Sequence, residues 1–391
     1  MKIALLSDCY LPRLGGIEVQ VHDLAARLIA RGHEVVVFTA TPGSRGERGG
    51  FVDQVDGVAI HRLALRLPFE LPVNPLAPGL LRQRLADGGF DVAHVHMGVV
   101  SPFAVDCTRV ATEMGLPTAM TWHCMLGPLE PVFRAAGHVR AWASRGVAMS
   151  AVSAVAAGPL QRVVGADSVV NVLPNGIDVD RWATPAEQAP PREPGGGDSD
   201  NDVRVVSAMR LAARKRPVPL LRTMARVRAL VPAGIGISLE IFGDGPDRNR
   251  LERFVAAHDM GGWVRLPGRV TREELRTRYA AADIYVAPAP LESFGIAALE
   301  ARTVGLPVVG RWGSGVQEFV KDGLNGYLAT DDEAMAGCLA RLVTDDGLRG
   351  SMTAYNRGTP PEQSWGRILD SAEAEYRRAI ALMGSVSGAA R

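Results

Sequence analysis

The chain has 391 residues, 47% of them hydrophobic and 22% charged, with a formal net charge of +1. That length leaves room for two or three ordinary domains, and the near-neutral balance excludes the large basic excess typical of a nucleic-acid binder. Four widely spaced cysteines (Cys9, Cys107, Cys124, Cys338) form no C-x-x-C pair, which fits a reducing interior and speaks against a structural zinc.

The N-terminal run MKIALLSDCYLP opens with a buried-type strand over 2–7 and is broken too early for a signal peptide. No window reaches the ~18 to 20 apolar residues that a membrane span needs. The expected location is cytoplasmic, with contact at the inner face of the cell membrane left open. Residues 18–34 form an amphipathic helix, with Val21, Leu24, Ala25 and Leu28 at helical spacing. Strands follow at 35–40, 58–63, 91–96, 117–123, 146–153 and 169–176. The segment 184–202, TPAEQAPPREPGGGDSDND, lacks any aliphatic run and reads as a flexible linker. The alternation then restarts with strands at 203–209, 237–243, 263–268, 283–288 and 306–310, and an amphipathic helix closes the chain from 365.

Short aliphatic strands alternating with helices predict an α/β chain of two parallel-sheet domains. The expected division is an N-terminal domain over 1–180, the linker 184–202 and a C-terminal domain over 203–364, with helix 365–391 packing back on the first. Open α/β sheets bind ligands at the carboxyl ends of their strands, so the site is expected in the cleft between the domains.

Several loops carry residues suited to an anionic, hydroxylated ligand. Gly15 and Gly16 lie between the first strand and the first helix, where a backbone can approach a ligand closely. No G-x-G-x-x-G or G-K-[ST] pattern accompanies them, which disfavours a dehydrogenase or a P-loop protein. Arg210 and Lys215 follow the first strand of the second domain; lysine occurs elsewhere only at positions 2 and 321. An arginine fork and a lysine point charge together suit a diphosphate, although basic clusters are more often solvated faces. A Gly-Asp-Gly-Pro turn begins at Gly243, and Thr271 with Glu274 forms a helix-capping pair. In ESFGIAALEA, Glu292 falls in a loop and Glu300 two turns into the next helix, with the N–H groups of Phe294, Gly295 and Ile296 open to an anion. Each feature alone has an ordinary structural explanation.

Together they are more specific. LGGIEVQVHDLAARLIARGHEV, LPNGID (173–178), the Arg210–Lys215 pair, the GDGP turn, ESFGIAALEA and GSGVQEFVKDGLNGYL (313–328) run over nearly the whole chain. They resemble the retaining glycosyltransferases of family 4, which have the two-Rossmann-lobed GT-B fold. The resemblance implies a hexosyltransferase that moves sugar from a nucleoside-diphosphate sugar to an acceptor hydroxyl of a small molecule, glycan or lipid. It makes Arg210, Lys215, His123 and Glu292 the catalytic candidates. Gly15, Gly16, Gly243, Arg269, Phe294, Gly295, Ile296 and Glu300 become donor-binding, with Glu300 on the ribose hydroxyls. No metal or cofactor is implied, and the DVD at 178–180 reads as structural. Two positions depart from the family pattern: Met209 and Arg216 stand where glycines are usual, which is expected to change the turn and leave both charges in place.

The alternatives are a nucleotide-sugar epimerase or hydrolase on the same fold, and a binding protein without turnover. The donor base and the acceptor stay open; the acceptor is expected near 66–82 and 122–140, and peripheral membrane contact is undecided.

Overall fold

The computed structural model describes residues 1–13, 15–65, 74–183 and 202–389. The Leu14 position, residues 66–73 of the expected acceptor region and residues 184–201 of the expected linker lie outside the described residues. The chain divides into two compact units, Met1–Gly176 with Trp365–Arg391, and Ile177–Ser364. The division therefore falls earlier than the expected boundary at 180. Ile177 pairs with Ser364 and donates its N–H to the Gln363 carbonyl, which ties the 177–183 segment to the second unit.

In the first unit eight strands form one sheet in the order β3-β4-β2-β1-β5-β6-β7-β8. They are β1 (Lys2–Ser7), β2 (Glu34–Thr39), β3 (Phe51–Val55), β4 (Val58–Arg62), β5 (Val92–Met97), β6 (Thr118–Trp122), β7 (Ala148–Ala151) and β8 (Val170–Val172). All neighbouring pairs are parallel except β3 with β4. The crossovers are α1 (Gly16–Ala30), α2 (Ala77–Gly88), α3 (Pro102–Glu113), α4 (Glu130–Ala136), α5 (His138–Ser144) and α6 (Ala154–Val164). The helical spacing seen in sequence puts Val21, Leu24, Ala25 and Leu28 of α1 in the core.

The second unit begins with the short α7 (Val179–Trp182), whose N-cap Asp178 accepts from the Arg181 N–H at 3.1 Å. Its sheet has the order β11-β10-β9-β12-β13-β14, parallel throughout. These strands are β9 (Val203–Ala208), β10 (Ile237–Phe242), β11 (Val264–Gly268), β12 (Ile284–Val286), β13 (Val308–Arg311) and β14 (Gly326–Ala329). The helices are α8 (Pro217–Leu230), α9 (Arg248–Ala257), α10 (Arg272–Ala280), α11 (Ile296–Val304), α12 (Asp332–Thr344) and α13 (Asp346–Gly358). Thr271 and Glu274 close a reciprocal capping box at the start of α10.

The last helix, α14 (Trp365–Ala389), belongs to the first unit and packs across β5, β6 and β7. Ile368, Leu369, Ala372, Tyr376 and Ala379 are buried in the same cluster as Ile3, Leu5 and Val21. At its exposed flank Arg31, the C-cap of α1, pairs with Asp370 at 2.6 Å and Glu373 at 3.2 Å. Among the described residues no helix is long and apolar enough to cross a membrane.

Candidate active site

Strand order decides which loops meet. In the second unit β9, β10, β12 and β13 run parallel and side by side, so the loops at their carboxyl ends collect along one edge. Arg210 and Lys215 lie between β9 and α8, Gly243 follows β10, Arg269 follows β11, and Glu292 to Ile296 lie between β12 and α11.

The first contact between these loops is an ion pair. Lys215 Nζ donates to Glu292 Oε2, with the two side chains 20% and 18% exposed. The pair thus joins the β9–α8 loop to the β12–α11 loop across seventy-seven residues of sequence. Arg210 is exposed, and its guanidinium has no ion-pair partner among the described residues; Arg269 is likewise exposed.

The turn after Glu292 is rigid. Gly295 holds φ +91° as the N-cap of α11, and a Cβ there would press on Val316. Phe294 is buried edge-on against Phe319, with ring centres 5.7 Å apart. Gly315 donates its N–H to the Glu292 carbonyl at 2.7 Å, and a side chain at Gly315 would collide with the backbone of Ser293 and Phe294. The N–H groups of Phe294, Gly295 and Ile296 find no backbone acceptor among the described residues. They form the positive end of α11 and suit an anion.

Glu300 is turned inward, only 6% exposed, with Arg272 of α10 at 3.8 Å. The phenol of Tyr285 on β12 lies close enough to feel both acids. Burial pushes it well above its ordinary range, and the charges of Glu292 and Glu300 push the same way.

Two departures noted in the sequence have structural answers. Arg216 adopts φ 61°, ψ 42°, the left-handed conformation a glycine would take without cost. Its side chain is tied to Asp332 at 2.5 Å, and Asp332 also holds Arg311 at 3.0 Å. The Met209 carbonyl sits so close to Gly243, at φ +118°, that no side chain fits at Gly243.

The remaining candidates belong to the first unit. Gly15 and Gly16 open α1, where Arg13 and buried Glu18 pair at 3.2 Å. His123 follows β6, and its N–H donates to the Met97 carbonyl at 2.9 Å. Its Nε2 lies 3.0 Å from His96 Nδ1. Burial holds His123 at a pKa of about 4, so the ring is neutral at physiological pH.

Sequence reasoning missed Arg272, Asp332, Arg311, Gly315 and His96. Only His96 carried a readable signal: alternation along DVAHVH puts His94 and His96 on one face of β5.

The model described as Glycosyltransferase Family 4 matches residues 14–181, and the model described as Glycosyl transferases group 1 matches residues 194–359. Among curated relatives, a D-inositol 3-phosphate glycosyltransferase of Geodermatophilus obscurus is 31% identical over 95% of this chain and 87% of its own length. The chain belongs to the family 4 glycosyltransferases. Its two parallel-sheet domains are of the GT-B type. Similar solved structures are the sucrose-phosphate synthase of Thermosynechococcus elongatus (TM-score 0.76, 20% identity, 97% of this chain and 99% of that one) and Anabaena Alr3699/HepE in complex with UDP and glucose (TM-score 0.74, 17% identity, 96% and 98%). The protein is thus a glycosyltransferase enzyme.

Proposed function

We propose that this glycosyltransferase moves a hexose-type sugar from a nucleoside-diphosphate sugar to an acceptor hydroxyl, with the anomeric configuration kept and no metal required. The observation that carries the reading is the Lys215–Glu292 pair beside backbone N–H groups at the start of α11 that have no backbone acceptor among the described residues. A diphosphate fits the donors there: Lys215 as a point charge, exposed Arg210 as a fork, and the amides of Phe294, Gly295 and Ile296. Glu300 then accepts from the ribose hydroxyls and Glu292 from hydroxyls of the sugar. Gly243 and Arg269 border the nucleoside, and within the first unit His123, with Gly15 and Gly16, is the group proposed to meet a substrate hydroxyl. As the diphosphate leaves, the anomeric carbon becomes oxocarbenium-like and the acceptor attacks from the same face. Charges fixed in advance at the developing anion are the main catalytic contribution.

The named relative supports a phosphorylated cyclitol as the first acceptor to try. UDP is the first nucleotide to try, because the Anabaena structure holds it.

The test is a metal-free thermal shift with UDP, GDP and ADP, followed by an assay for nucleoside diphosphate release with D-inositol 3-phosphate present and absent. One nucleotide should stabilise the wild type and barely affect Glu300→Ala, and release should depend on acceptor. Release without acceptor favours a hydrolase. Stabilisation by no nucleotide removes the donor site, and binding without turnover favours the inactive alternative.

A further inference from the structure

Three histidines meet in the first unit at the carboxyl ends of β5 and β6, and they are not equivalent. His94 is 1% exposed and sits in a chain of hydrogen bonds whose direction can be worked out from one end. The chain ends on the Met120 carbonyl, which can only accept, so the single hydroxyl proton of Ser150 goes there at 3.1 Å. Thr121 must then donate to Ser150 at 2.8 Å, which leaves Thr121 to accept from His94 Nε2–H at 2.8 Å. Tyr376 of α14 donates in turn to His94 Nδ1 at 3.0 Å. Both nitrogens of His94 are therefore committed, and their work is to fasten α14 to the sheet.

His96 lies against that ring, with centroids 4.1 Å apart, and is 4% exposed. Its Nδ1 faces His123 Nε2, while its own Nε2 is buried without a hydrogen-bond partner among the described residues. His96 lines a small pocket of about 30 Å³ together with His123, Gln20, Asn175, Leu24 and Trp365. A buried N–H without an acceptor is rarer than a buried lone pair without a donor. Nε2 of His96 is then the bare nitrogen, and the proton sits on Nδ1, pointing at His123.

We propose that His96 is a positioning residue for His123. Its Nδ1–H donates to His123 Nε2 and holds His123 as the neutral Nδ1–H tautomer, so that His123 meets a substrate hydroxyl as a donor. The pairing stands on the hydrogen-bond geometry; its effect on transfer rests on the proposed contact between His123 and the substrate.

Two-bond ¹H–¹⁵N correlation spectra of the full chain, ¹⁵N-labelled at histidine, read the tautomer directly, with His123→Ala assigning the signals. Wild type should show His123 with its proton on Nδ1 and a pyridine-type Nε2. His96→Asn places an amide N–H where Nδ1 stood, and should keep that pattern with kcat within about threefold of wild type. His96→Phe removes the donor; the His123 tautomers should mix, and kcat should fall roughly tenfold at little-changed donor KM, the scale of one lost and mispositioned hydrogen bond. A protonated Nε2 on His123 in wild type, or an unchanged His123 signal in His96→Phe, overturns the proposal. If His96→Phe fails to fold, wild type and His96→Asn still decide it. Unaltered transfer in His123→Ala, with the tautomer as expected, overturns the functional role of His123 and leaves its pairing with His96 intact.

Discussion

Lys215 and Glu292 close an ion pair between two loops at the carboxyl edge of the second sheet, each about one-fifth exposed. A pair this accessible adds little to stability, because water and salt screen it. Its use is to hold Lys215 extended beside the α11 amides that have no backbone acceptor among the described residues, where a donor diphosphate can take the lysine over. Lys215→Ala should therefore lower kcat/KM by about 10²- to 10³-fold, the cost of removing one donor to a developing anion. The melting temperature should move by only a few degrees. Steady-state kinetics beside a thermal melt separates the two effects, and activity above a tenth of wild type would remove Lys215 from the diphosphate site.

Glu300 should behave differently. It is 6% exposed, with its charge facing Arg272, and it lies one turn into α11, beyond the amides that meet the leaving group. Glu300→Gln keeps the shape and loses the charge. Loss of a hydrogen bond to a charged group should raise donor KM by roughly 10- to 100-fold. Because such binding is the same in ground and transition states, kcat should stay within about threefold. A fall in kcat at constant KM would place Glu300 at the reacting sugar.

Most of the architecture could be read before any coordinates because parallel strands buried on both faces leave continuous aliphatic runs. KIALLS and VRVVSA are examples, and they became β1 and β9. The strands that escaped were β3, FVDQV, whose partly exposed polar alternation at the sheet edge looks like loop, and β14, GYLA, four residues long. Glu292 and Glu300 were legible because their spacing spans a glycine turn and a helix start. Arg272 and Asp332 were not, since a partner supplied by another loop leaves no mark on the local pattern. Arg216 was noticed as a departure, but its left-handed backbone and its pair with Asp332, 116 residues away, are not contained in any local rule.

That angle makes a separate prediction. Arg216→Gly and Arg216→Ala both lose the pair with Asp332, which keeps Arg311 in either case. They differ in strain, because only alanine carries a Cβ into φ 61°. The glycine variant should be the more stable of the two by about 1 kcal/mol. Chemical denaturation of the two variants side by side measures it, and equal midpoints would mean that the left-handed turn relaxes in solution.

The histidine cluster sets the acid limit of the first unit. Burial holds His94 at a pKa of about 3, His123 at about 4 and His96 well below its ordinary value, against 6.5 for a solvated ring. Above pH 6.5 all three are neutral whether folded or unfolded, so they add no pH dependence there. Below it the unfolded chain takes up their protons and the folded chain does not. Stability is then lost as pH falls from 6.5 toward 4, by on the order of 1 kcal/mol per pH unit for each histidine, offset in part by Asp8, whose carboxyl is raised to about 6 by burial and acts in the opposite sense. Urea unfolding at pH 7.5, 6.0 and 5.0 should show a plateau followed by a steep decline, and His96→Asn should lose about a third of the cluster's slope. Equal stability at pH 7.5 and 5.0 would mean that water reaches these rings, and the neutral His96–His123 pair would go with it.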